Sequence, residues 1–177
     1  MRSPETLRAM VLSAAMAALG LTLPAVFHMV GLGSRFLPML LPLLLNGFLV
    51  PAPWAAATGL LTPFLSSLAT GMPPLYPPVA VALACEGAVA GGVAALTFRR
   101  GRGNLWAALI SAIVAGRLTA LMVSYGLARQ FGLPPAFASL AILVQGVPGV
   151  ALQVAVIPVV VRSLRRRPGL LFQSADG

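Results

Sequence analysis

The 177-residue chain contains no lysine, which excludes a GxxxxGK[ST] phosphate loop and any Schiff-base chemistry. Acids are nearly as scarce: Glu5, Glu86 and Asp176 stand against twelve arginines. One cysteine, Cys85, and one histidine, His28, exclude an intrachain disulfide framework and a zinc site closed by protein ligands alone. Aspartyl proteolysis needs two buried carboxylates and metalloproteolysis an HExxH helix, and neither pattern is present. The chain therefore brings little catalytic chemistry of its own. No cofactor or metal is expected, an enzymatic role is not expected, and any nucleotide-driven work must come from a partner.

What fills the space is apolar. Hydrophobic residues make up 59% of the chain and charged ones 8%, with 18 glycines and 16 prolines, a balance foreign to soluble domains. We read an all-α integral membrane protein, one membrane domain over residues 1–177. A hydrocarbon core about 30 Å thick takes roughly 20 apolar residues per helix. Runs between helix breakers give six spans, at 6–24, 36–50, 54–70, 76–98, 105–129 and 136–161. The arginine-flanked run at 10–23 also has the character of a secretory signal, but no Ala-x-Ala site follows it.

The net charge of +9 does not point to nucleic acid once the arginines are placed. Arg2 and Arg8 precede the first span, Arg99, Arg100 and Arg102 separate the fourth and fifth, and Arg162, Arg165, Arg166 and Arg167 follow the sixth. Cytoplasmic flanks retain positive charge, so both termini are expected inside, in a bacterial cytoplasmic membrane, with the lipid bilayer and not nucleic acid as the surrounding partner. The three outward connections, HMVGLGSRFLP, GMPPLYPP and RQFGLPP, are all rich in glycine and proline. Proline narrows the conformations of a loop, which suits a lid over a pocket.

Four polar side chains on four different spans share one depth. At about 1.5 Å per residue, Glu86 lies roughly 15 Å from Tyr76, Arg117 roughly 18 Å from Arg129, Asn46 about 15 Å from Phe36 and Gln145 about 14 Å from Ala136. A lone charge at the bilayer centre costs on the order of 3 kcal/mol, so Glu86 and Arg117 are expected to face the bundle and each other. Gly87 and Gly91 beside Glu86, and Ala112, Gly116 and Ala120 beside Arg117, allow close helix approach. Gln145, Gly149 and Gln153 form a polar stripe at a spacing of four. Two readings follow: an internal brace that fixes helix register, or a solute pocket walled by Met72, Tyr76, Tyr125 and the polar quartet, with His28 and Arg35 at its mouth. In the first span Ala14 and Ala18 recur at four, a small-residue face for close contact within the bundle or with another subunit.

The segments FLPMLLPLLLNGFLV, TGLLTPFLSSLATGMPPLYPP and QGVPGVALQVAVIPVVVRSL, with the glutamate of the fourth span, resemble the substrate-capture (S) components of energy-coupling factor (ECF) vitamin transporters. The resemblance runs from about Ala14 to Arg165. It implies a six-helix protein that binds a vitamin or vitamin-like solute from outside and associates with a transmembrane coupling subunit and two cytoplasmic ATPases. It also implies that Ala14 and Ala18 face the coupling subunit. Where relatives often carry histidine within Pro-Met-His-Ile-Pro, this chain has Leu40 in Pro38-Met39-Leu40-Leu41-Pro42, so no substrate is carried over. Pantothenate, biotin or niacin would suit Arg117, and an amide-rich solute such as cobalamin would suit Asn46 and Gln145. The competing function is a membrane scaffold with no ligand.

Overall fold

The computed structural model describes residues 4–29, 31, 38–101, 103–134 and 146–166. Among these residues the protein is all-helical, with α1 (Pro4–Met29), α2 (Leu40–Leu49), α3 (Ala52–Thr70), α4 (Val79–Arg100), α5 (Leu105–Phe131) and α6 (Val147–Arg165). Among the described residues each of the six runs read from the sequence contains one helix, and the differences lie at the ends. α1 continues five residues past the expected stop at Pro24, which sits inside the helix. α4 starts at Val79 rather than at residue 76, because Tyr76 and Pro77 each precede a proline, whose ring disfavours helical backbone in the residue before it. The sixth run is not one helix from 136 to 161: Gly146 is a turn, α6 begins after it with Pro148 in its first turn, and 136–145 lie outside the described residues.

Four of these helices, α1, α4, α5 and α6, are long and apolar enough to cross a membrane. α3 has a comparable length of 19 residues but carries five hydroxyl side chains, Thr58, Thr62, Ser66, Ser67 and Thr70, which dilute its hydropathy. α2 has only 10 residues, and nine of them are buried. A helix apolar on every side belongs in a protein interior, and α2 lies there, against α1, α3, α4 and α6. On α5, Trp106 and Tyr125 are both exposed. Nineteen residues of helix rise separate them by about 28 Å, which matches the spacing of the two aromatic belts of a bilayer about 30 Å thick.

α4 is the centre of the packing, with its most extensive contacts to α3 and α5. Its small residues make this possible, but they are shared between neighbours. A Cβ on Gly59 of α3 would collide with the backbone of Gly87, and one on Gly47 of α2 would come within 2.5 Å of the Gly91 carbonyl oxygen. On the α5 side, a Cβ on Gly116 would meet Ala90 Cβ at 3.0 Å and Glu86 Cγ at 3.5 Å. Lipid gives no hydrophobic drive to bring helices together, so this backbone-to-backbone approach supplies the dispersion contact instead.

One end of the bundle is basic. Arg165 of α6 lies over the Phe98 ring, 4.8 Å from its centroid, and donates to the Gly103 carbonyl in the α4–α5 turn. Arg162 lies over Trp106 at 5.9 Å. The turn itself is closed by Gly103 at φ +75° and by the Asn104 side chain, which caps α5 by accepting from Ala107 N–H at 3.1 Å.

Candidate functional site

The Gly71 to Pro78 connection is built from α3 outward. Gly71 ends the helix in the left-handed region, φ 74°, and its N–H returns to Ser67 O at 2.9 Å. Three hydroxyls of the last turns of α3 then hold the backbone of the connection. Ser66 Oγ donates to Met72 O at 2.6 Å, Thr70 Oγ1 accepts from Met72 N–H at 3.3 Å, and Ser67 Oγ donates to Pro73 O. Ala80 N–H satisfies Pro74 O at 3.2 Å. The hydroxyls that lower the hydropathy of α3 thus fold the connection back over the end of the bundle.

Beneath this connection lies a cavity of about 640 Å³, within the usual range of small-molecule pockets, about 300–1,000 Å³. α1 contributes Leu21 and Pro24, α2 Leu40 with Met39 just before it, and α3 Ser66 and Thr70. Met72 and Pro73 form the roof, and Val79 and Leu83 of α4 a side wall. The cavity sits at the N-terminal end of α4, opposite the basic end where Arg99 and Arg100 close the same helix. No charged side chain is among its described lining residues.

The charged pair is elsewhere. Arg117 Nε of α5 meets Glu86 Oε1 of α4 at 3.3 Å, with side chains 13% and 6% exposed, so the meeting expected from their common depth occurs. Around them, Gln153 of α6, Leu40 and Gly116 enclose only about 10 Å³, room for no more than a single water. The bond is single, and Arg117 Nη2 is buried without a protein partner among the described residues. Asn46, fully buried on α2, turns to α1, where its Nδ2 donates to Ser13 Oγ at 3.3 Å, and its Oδ1 has no protein partner among the described residues.

Of the candidate pocket side chains that are described, Met72 lines the larger cavity. Glu86 and Arg117 flank the small one and Asn46 ties α2 to α1. Tyr76 and Tyr125 are 71% and 58% exposed and line neither. Gln145, Arg35 and the side chain of His28 lie outside the described residues. Sequence reasoning placed Gln153 in a polar stripe but not at the site, although its spacing from Gly149 puts it on the buried face of α6 beside the pair. Leu21, Met39, Ser66 and Leu83 gave no signal, since apolar and hydroxyl residues in a membrane helix have no pattern that separates a cavity wall from a lipid face.

α1 has two unlike faces. Ala9, Ser13 and Gly20 are buried against the bundle, whereas Leu7, Val11, Ala14 and Ala18 are exposed at helical spacing. The small-residue pair is therefore not used for packing among the described residues.

A sequence-family model described as ECF transporter, substrate-specific component, matches residues 8–161. Comparison with curated proteins and with solved structures gives no match.

Proposed function

The chain belongs to the family of ECF transporter substrate-specific components, and from that premise we propose that its larger cavity captures a water-soluble vitamin or vitamin-like solute from outside the cell. Membership makes it a multi-pass membrane protein of transport that binds a small molecule and works with a coupling subunit and ATPases. In the proposal both termini are cytoplasmic, all six helices count as crossings of a bacterial cytoplasmic membrane, and α2 crosses as an inner helix shielded from lipid. The bare α1 face with Ala14 and Ala18 docks onto the coupling subunit, which presents the loaded protein to two ATPases. Met72 touches the solute. Glu86, Arg117 and Asn46 brace the helices around it.

The observation that carries this reading is the position of the cavity. It lies at the end of α4 remote from Arg99, Arg100, Arg162 and Arg165, under a connection whose carbonyls are held by α3. With the arginine end inside, the cavity faces outward. Two experiments test the proposal. Cysteines placed at Gly103 and at Leu75 in a Cys85→Ser background are labelled in intact cells, and only Leu75 is expected to react from outside; reaction at Gly103 would invert the topology. Mass spectrometry of the protein purified in mild detergent is expected to reveal a retained small molecule that Leu83→Trp, which fills the cavity from α4, releases. Retention by Leu83→Trp places the solute somewhere else.

A further inference from the structure

We infer that the solute is uncharged, apolar over most of its body, and offers an N–H or O–H donor to Ser66 Oγ. This rests on the reading of the larger cavity as the capture site and narrows it to a chemical class. The first support is electrostatic. A charged group moved from water into an apolar space without a partner loses several kcal/mol of solvation, and the described lining holds no acid and no base to offset that loss. Arg117 is turned away: it is paired with Glu86 across α4 and α5, on the far side of Leu40. A carboxylate in the cavity would find no cation among the described lining residues.

The second support is the direction of the hydrogen bonds. Ser66 and Thr70 are the side-chain hydroxyls in the lining. A hydroxyl has one proton to give. Ser66 gives its proton to Met72 O at 2.6 Å, and Thr70 gives its own to Ser66 O at 2.9 Å while accepting Met72 N–H at 3.3 Å. What both hydroxyls have left is lone pairs. Ser66 is 2% exposed and has both of its own unused among the bonds the structure shows, so it is the buried acceptor of the site. A solute group that can only accept, such as a carboxylate or an ester, meets acceptors there, whereas an amide N–H or a hydroxyl is matched. The remaining wall, with Met39 and Met72 among prolines and leucines, suits a ring: thioethers make favourable contacts with aromatic edges.

Three probes that share a ring and differ only in charge and donor test this: nicotinamide, methyl nicotinate and nicotinate, titrated by saturation-transfer NMR against the protein in nanodiscs. Nicotinamide is expected to bind about fivefold more tightly than the ester, the worth of one neutral hydrogen bond, and at least about thirtyfold more tightly than nicotinate, for the unmatched charge. Ser66→Ala is expected to bring the amide-to-ester affinity ratio to one. The ratio is the readout, so a general loosening of the roof in that variant does not obscure it. Tightest binding of nicotinate, an unchanged ratio in Ser66→Ala, or no binding of nicotinamide overturns the inference. Leu83→Trp separates the two levels: a nicotinate preference that disappears in this variant leaves the cavity as the capture site and removes only the chemical class, whereas binding that persists in it removes the capture reading itself.

Discussion

Leu40 of α2 has a hollow on either side. Toward the connection after α3 lies about 640 Å³ with no charged side chain among its described lining residues, and toward α5 lies about 10 Å³ holding an ion pair. Both regions contain polar groups that lipid would not tolerate bare, and they deal with them differently. In the first, hydroxyls on α3 bond to carbonyls of the same stretch of chain, so the polar groups are consumed locally and the space beside them stays open. In the second, Glu86 and Arg117 come from different helices, and Gly116 lets α5 close until no space remains. Charges that neutralise each other across a helix interface close that interface; hydroxyls that fold a loop leave a vacancy under it. A shared depth in the membrane is therefore not the same as a shared site.

Breaking the pair on one side gives the largest effect. Glu86→Gln leaves Arg117 buried without a counter-charge and is expected to lower stability by about 3–5 kcal/mol, seen as a melting temperature well below that of the parent in detergent. Next in size is a loss of coupling. Ala14→Leu with Ala18→Leu puts bulk on the exposed α1 face, and uptake by the complete transporter is expected to fall at least about tenfold, or about 1.4 kcal/mol, while solute binding to the isolated protein is unchanged. Loss of binding as well would mean that this face packs inward. Ser67→Ala removes one tie to the roof at Pro73 and is expected to cost about 1 kcal/mol, with faster hydrogen exchange at Leu75 and Tyr76 but not on α5. The smallest expected effect sharpens the comparison most. Glu86→Gln with Arg117→Gln removes both charges and keeps hydrogen-bonding capacity, so stability is expected within about 1 kcal/mol of the parent and solute affinity within about twofold. A tenfold loss of affinity in that stable double variant would join the two hollows into one site.

The ion pair was legible in the sequence because charge is rare in this chain and the cost of burying it is high, so depth along each helix was enough to bring Glu86 to Arg117. The small residues were legible for the same reason, although Gly87 and Gly91 serve α3 and α2 as well as the neighbourhood of the pair. Helix ends were read less well where proline acts in two ways: Pro24 is carried inside α1, while Pro77 and Pro78 delay α4. Tyr76 and Tyr125 were drawn into the pocket by residue type, yet both are exposed, and an aromatic with a polar tip is at home at the membrane interface. The large cavity was not legible. Its walls are mainly leucine, methionine and proline, with Ser66 and Thr70, and nothing in their spacing along the chain separates a cavity wall from a lipid face.

The roof over that cavity has another property. Four of the seven residues from Met72 to Pro78 are prolines and have no N–H at all. The Met72 N–H donates to Thr70 Oγ1, and the carbonyls of Met72, Pro73, Pro74 and Pro77 all accept hydrogen bonds from within the chain. Non-helical backbone is excluded from hydrocarbon because its donors and acceptors would be stripped of water, and this stretch has few left to strip. Among the described residues only the backbone groups of Leu75 and Tyr76 are left without a bond there, so this irregular segment asks less of the surrounding water than an ordinary loop of its length does.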